Sequence, residues 1–558
     1  MLFHCSEFDS GRMDIMKRIL SFFVTVFMLI SGLFAKGADY KVKYTDKTVP
    51  LSGLEAVSDK ERYIVNLDGD HWNKWLNNLC RNGEVTEDAL NEYVEWYAGT
   101  DVTDLIFNTF CQVSNTPTDV LSFRGNQYLQ TEQEGKPVDN SFWQCCHDIY
   151  YKYGIDLFRI WFEKCRNEGM NPWMSIRMND CHEPDAETSF LRGDLFYTAR
   201  RNGWMIGEEY GYYRNCFDYA VPEIRQLMLD YIREQLLRYD VYGLELDWQR
   251  EIFCFDYKNA NNDEIVSIMN GFMRNVNVIV AEAEKKWGHD IEISARLTRD
   301  IDQSRVYGFD ARTWAEEKLV DSITVTPRWA TCDSAMPINN WKQELPNVEI
   351  YAGIETLVNV QNDLSHASAE IVNGYMAQYL TAGADGIYLF NFMKTSPVNE
   401  RSDTVFNSFS SLDEVINSNR RHVVTRQDMA PDGYEPYHPL DKDMLYKEPY
   451  SLDVETGYIS DGSEVKIKLG FSRPMSKKQI EVIANGIECI YAGETVINGD
   501  NGSGEATEGA YTDGKVYMYE FICPQSYFFG NIVNVSVISN RVLPVTVKYC
   551  EIDVNQSK

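Results

Sequence analysis

Eight short apolar runs, each followed by residues at helical spacing, constrain this chain more than any other feature. The runs are Tyr63–Asp68, Thr103–Phe110, Pro172–Met178, Tyr242–Asp247, Ile291–Leu297, Ser322–Thr326, Val348–Ile354 and Gly386–Asn391. The intervening segments Pro222–Tyr239, Glu264–Trp287, Ala311–Leu319 and Ser365–Thr381 repeat apolar residues with the period of a helix. Strands alternating with helices build a parallel sheet with crossover helices, and eight such units is the number that closes a (β/α)8 TIM barrel. The barrel is expected within residues 39–420, with an enlarged third loop between Asp180 and Ala220.

Past residue 420 the pattern changes. Pro431–Pro449 is rich in Pro, Asp and Tyr, so 421–449 reads as a linker. Short alternating runs follow at Val465–Phe471, Ile480–Ala484, Lys515–Cys523 and Ile532–Ile538, parted by Gly, Asn and Asp turns. Residues 450–558 are therefore expected to form an accessory all-β sandwich. At the other end, Met16-Lys17-Arg18 precedes an apolar run from Ile19 to about Phe34 and then small residues, the order of a secretory signal peptide. Residues 1–38 are assigned to a leader and signal, and the mature chain is expected to be exported without a transmembrane span.

A net charge of −31 in 558 residues argues against nucleic acid and anionic membranes as partners, since both would repel it. Thirteen Cys residues show no CxxC pair and no repeated spacing, so neither a zinc module nor a disulfide framework is read from them. No metal and no cofactor is expected, and no feature sets an oligomeric state.

The run Tyr242-Gly-Leu-Glu-Leu-Asp-Trp-Gln249 carries the chemistry. Side chains alternate along a strand, so Glu245 and Asp247 share one face while Leu244, Leu246 and Trp248 take the other. Two carboxylates on a buried strand need basic partners or a use in chemistry. The active end of a barrel is formed by the C-terminal ends of its strands, and polar groups gather at almost every one here. They include Asp68, Asp70, Trp72, Arg177, Asn179, Asp180, His182, Trp248, Arg296, Arg328, Trp329 and Asn391, with Glu355 after strand seven. A cleft with paired acids and aromatic walls suits glycosidic bond hydrolysis: one acid protonates the departing oxygen, and the other carboxylate attacks the anomeric carbon or activates water. Glu245 or Asp247 on strand four and Glu355 on strand seven are expected on opposite sides of the barrel, suited to flanking a sugar. Arg177 and Arg296 are expected to offset buried charge and donate to sugar hydroxyls. A structural carboxylate locked to arginine, in a barrel that only binds glycan, is the alternative.

The segments Ser175-Ile-Arg-Met-Asn-Asp180, Gly243-Leu-Glu-Leu-Asp-Trp248 and Gly386-Ile-Tyr-Leu-Phe-Asn391 resemble those of secreted bacterial (β/α)8 glycoside hydrolases and glycoside-hydrolase-like proteins of polysaccharide utilisation. The resemblance implies a poly- or oligosaccharide substrate. Two departures matter. Chitinase-type barrels place their acid Glu where this chain has Gln249, and the clan with acids after strands four and seven carries Asn-Glu where this chain has Leu246-Asp247. Glu355 matches that clan's second position, so the resemblance implies Glu355 as the nucleophile, with Asp247 or Glu245 as the acid.

Overall fold

The computed structural model describes residues 61–125, 144–182, 191–327, 332–360, 363–409, 411–424, 440, 442–497, 516–523 and 530–556. The signal segment 1–38, most of the 421–449 connector, Arg328, Trp329 and the Asp70 side chain lie outside them. Eight parallel strands close a barrel: β1 (Arg62–Leu67), β2 (Asp104–Cys111), β3 (Asn171–Arg177), β4 (Gly243–Asp247), β5 (Glu292–Leu297), β6 (Ser322–Val325), β7 (Glu349–Glu355) and β8 (Gly386–Phe390). Each pairs with the next, and β1 pairs with both β2 and β8, so the sheet has no open edge among its eight parallel strands.

Register sets what the barrel contains. Ser175, Glu245 and Ser294 stand side by side on β3, β4 and β5, and one pleat higher Arg177, Asp247 and Arg296 do the same. Inside the barrel the apolar side chains Ile64, Ile106, Trp173, Tyr351, Tyr388 and Phe390 form a core of their own. Trp173 fits there because its neighbour is Gly243; a Cβ at that position would overlap the indole ring. At the N-terminal end Arg62 donates to Asp104 at 2.8 Å, to Glu292 at 2.9 Å and to the Tyr242 hydroxyl at 2.5 Å. Trp173 Nε1 donates to the same Asp104 at 2.8 Å. This end is a cross-linked plug, in keeping with a barrel face that serves stability.

The outward faces of the strands meet the helices in one large apolar core. Helix Ala311–Glu316 stops short of the expected Leu319 because Lys318 turns left-handed at φ 56°, and the Leu319 amide then folds back onto the Trp314 carbonyl at 2.7 Å. Helix Ala369–Thr381 begins four residues later than its periodicity suggests, since Asp363–His366 pairs as a strand with Leu357–Val360 and Ser368 is extended.

The named strands of the C-terminal region pair antiparallel. A six-stranded sheet contains Arg420–Val423, Val545–Asn555, Glu464–Phe471, Val516–Cys523, Ile490–Ile497 and Lys442–Met444; a four-stranded sheet contains Pro449–Glu455, Ile532–Ser539, Ile480–Ala484 and Ile487–Glu488. Alternate residues of the two sheets fill a common apolar core, as in a sandwich. Arg420–Val423 packs on the barrel helix Ala369–Thr381, where Tyr375 donates to the Val423 carbonyl at 3.1 Å. Gly374 permits that approach, as a Cβ there would collide with the Arg421 carbonyl. Among the described residues no helix is long and apolar enough to cross a membrane.

Candidate active site

Strand four ends under a clamp. Asp247 is fully buried and accepts from Arg296 Nη1 at 3.0 Å through each carboxylate oxygen. Its Oδ1 also takes the backbone amides of Gln249 at 3.1 Å and Arg250 at 3.0 Å, as the chain turns out of the strand. Arg296 in turn donates from Nε to Thr326 at 3.0 Å and lies 3.9 Å from the centre of the Phe390 ring. Burial alone would ease the proton off this guanidinium. Asp247, then Tyr388, Glu245 and Glu355 outweigh that and hold its charge.

Glu355 closes β7 on the same guanidinium's field. Both of its oxygens accept from Asn391 Nδ2, at 3.0 and 3.1 Å. Asn391 reaches it from a left-handed backbone at φ 64°, which asparagine adopts more readily than most residues. Asn391 is itself half-buried, at the mouth of the barrel.

Glu245 sits one pleat deeper than Asp247, with no exposed surface. Asn66 donates to it at 3.3 Å. Burial and the nearby Asp247 charge push its carboxyl up to about 7, against the opposing pull of Ser175, Arg296 and Tyr388. Near neutrality Glu245 is thus poised between acid and carboxylate, whereas Asp247 beside it is an ion-paired acceptor.

A second cluster forms the wall made by β1, β3 and the third loop. Arg177 donates to Asp68 at 2.5 Å and to Asp180 at 3.4 Å. A bulge in β2 between Asn108 and Phe110 turns the Asn108 amide to accept from Arg177 Nε at 3.2 Å. Asp180 accepts from His182 Nδ1 at 2.5 Å, and Arg250 meets the opposite ring nitrogen. Burial raises the Asp180 carboxyl, but His182, Arg177 and Arg250 reverse this and hold it far below the usual carboxylate range. His182 and Asp68 are the members of this cluster with appreciable exposure, 32% and 14% at the side chain.

The structure thus brings Asp68, Arg177, Asp180, His182, Asp247, Arg296, Glu355 and Asn391 to one end of the barrel. Others of the sequence candidates point elsewhere. Trp72 is packed edge-on to Phe158 and Trp161 in the helical layer, and Trp248 against Tyr219, Phe272 and Phe309, so neither ring offers a face to the cleft. Trp248 follows from the strand alternation that sends it opposite to Asp247. Asn179 braces the third loop, donating to the Phe217 and Phe253 carbonyls at 3.0 Å and accepting from the Phe217 amide at 2.9 Å. Sequence reading passed over Arg250, and with it the partly buried aromatics Tyr213, Phe253 and Tyr257, whose rings contact one another on the loops after β3 and β4. Their clustering comes from loop folding and leaves no periodic signal.

No family model matches this chain, and no curated protein matches it in sequence. Solved structures do resemble it in fold. An α-L-fucosidase, isoenzyme 2 from Paenibacillus thiaminolyticus, aligns with a TM-score of 0.40 and 12% identity over 64% of this chain and 48% of its own, about half that enzyme's length. The PgaB (BpsB) glycoside hydrolase domain from Bordetella bronchiseptica gives 0.36 and 10% over 63% of this chain and 99% of its own. A GH29 α-L-fucosidase from Bacteroides thetaiotaomicron gives 0.33 and 11% over 86% and 93%. At these identities and scores nothing about the residues of the cleft follows from the likeness.

Proposed function

We propose that the protein is an exported glycoside hydrolase that cleaves a poly- or oligosaccharide with Asp247 and Glu355 as its working carboxylates. The observation that carries this reading is the gathering of Asp247, Glu355 and Glu245 around the single guanidinium of Arg296 at the C-terminal mouth of the barrel. The surroundings favour a division of labour different from the sequence expectation. Asp247, held in place by Arg296 and two backbone amides, suits attack on the anomeric carbon or activation of water. Glu355, oriented by Asn391 through both oxygens, is assigned proton delivery to the departing oxygen. Glu245, one pleat beneath Asp247, acts as a positioning residue through its charge balance with Asp247 and Arg296. Arg177 and Asn391 are the donors nearest the mouth of the barrel for sugar hydroxyls, and Tyr213, Phe253 and Tyr257 the rings offered for stacking.

The leaving group separates the two roles. A dinitrophenyl glycoside departs without protonation, so Glu355→Gln is expected to lose most activity on natural glycans yet keep much of it on that substrate, while Asp247→Asn loses both. The reverse pattern would exchange the assignments. The depth of the Asp247–Arg296 pair also fits a barrel that binds glycan without cleaving it. In that case Glu355→Gln leaves glycan affinity intact and no variant or parent turns over any substrate.

A further inference from the structure

Cys489 and Cys523 bring their sulfurs to 2.8 Å in the C-terminal sandwich. Bonded sulfurs sit about 2.05 Å apart, and two unbonded thiols keep a wider separation than the one seen here. The backbone around each explains the encounter. Ile487–Glu488 pairs within the four-stranded sheet, and the Cys489 amide still donates to Val482 of that sheet at 2.8 Å. One residue later, Ile490 pairs with Ile522 in the six-stranded sheet. Cys489 is therefore where the chain crosses between sheets, and Cys523 ends the strand it crosses to.

We propose that these two residues are joined as a disulfide in the mature protein, a covalent staple at the crossover of the sandwich. Both residues are buried, 7% and 4% exposed. The Cys523 thiol, hydrogen-bonded to Cys489, pulls the Cys489 thiol below its ordinary range, which favours it as the attacking thiolate. The step is a thiol–disulfide exchange: Cys489 attacks the disulfide of an exported dithiol oxidant, and Cys523 then displaces that oxidant from the mixed disulfide. The two protein thiols lose two electrons and two protons, and the oxidant leaves as a dithiol. The staple spans 34 positions of sequence and anchors Ile490–Ile497, the edge strand of its sheet, whose Ile490 is 63% exposed. Edge strands of this kind otherwise invite pairing with other chains. The assignment rests on the export reading and not on the glycosidase chemistry.

The test uses the full chain, exported to an oxidising compartment, unfolded in an alkylating reagent without reductant, digested and mapped by mass spectrometry. The expected result is one linked species containing Cys489 and Cys523, unlabelled until reduced. Cys550, buried in the same domain, is the control and takes label throughout. Label on Cys489 and Cys523 before reduction, or a link from either to another cysteine, overturns the proposal. Reductant should also lower the melting temperature of the parent by about 5 °C more than that of a Cys489→Ser, Cys523→Ser double variant. Equal shifts in the two would contradict it.

Discussion

At the scale of single residues, the most telling group is Glu245. Its carboxyl titrates near 7 in the fold and near 4.5 in the unfolded chain. Between those values the native state binds a proton that the unfolded state has released, so stability falls as pH rises through this window, by on the order of 3 kcal/mol in total. Below about pH 4.5 both states are protonated and the contribution vanishes. Glu245→Gln supplies a permanently neutral side chain of the same shape. Its melting temperature relative to the parent should therefore climb between about pH 4.5 and 7 and then level off. Parallel melting curves across that range would mean that Glu245 does not hold its proton in the fold. Asp553 is also raised to about 7 by burial and Glu551, so the difference between variant and parent, rather than the parent profile, is the quantity to read. The sequence did reveal Glu245 and Asp247 as inward neighbours, because strand alternation is a local property. It could not reveal that Arg296 would clamp one and leave the other to burial. That depends on the register between β4 and β5, which places Asp247 beside Arg296 and Glu245 beside Ser294.

At the scale of elements, all eight barrel strands were legible to within one residue at each end, since each is a compact apolar run bounded by turn residues. Helix ends were less legible where a backbone choice, such as left-handed Lys318, ends a helix that the apolar period would continue. The least legible element is Arg420–Val423. It is short and highly charged, with Arg-Arg-His in sequence, and it becomes a strand by pairing with Val545–Asn555 from the far end of the chain. Arg421 finds Glu551 there, at 2.7 and 2.8 Å, and Lys468 joins the same carboxylate at 3.0 Å. This strand couples the sandwich to the barrel through Gly374. Gly374→Val, placing a branched side chain against the Arg421 backbone, should pry the two apart and cost about 1–3 kcal/mol in urea unfolding. The expected signature is a splitting of one calorimetric transition into two. A single transition at the parent temperature would show that the contact contributes little.

At the scale of the whole molecule, the barrel gathers its candidate site residues at one end and a cross-linking ion-pair network at the other. The Arg62 network plugs the N-terminal end with ion pairs and no opening, and the C-terminal end gathers Asp247, Glu355, Arg296, Arg177 and His182. The net charge of −31 disfavours polyanions as ligands of the chain as a whole. The sandwich rests on the barrel helix Ala369–Thr381, which follows β7, the strand that carries Glu355. The central claim, that Asp247 and Glu355 break glycosidic bonds, is met most directly by measuring hydrolysis across a panel of aryl glycosides and polysaccharides for the parent, Asp247→Asn and Glu355→Gln. Turnover by the parent that falls by about a thousandfold or more in Asp247→Asn, and likewise in Glu355→Gln on unactivated glycans, is the predicted result. Absence of turnover on every substrate, with glycan binding unchanged in both variants, would contradict it.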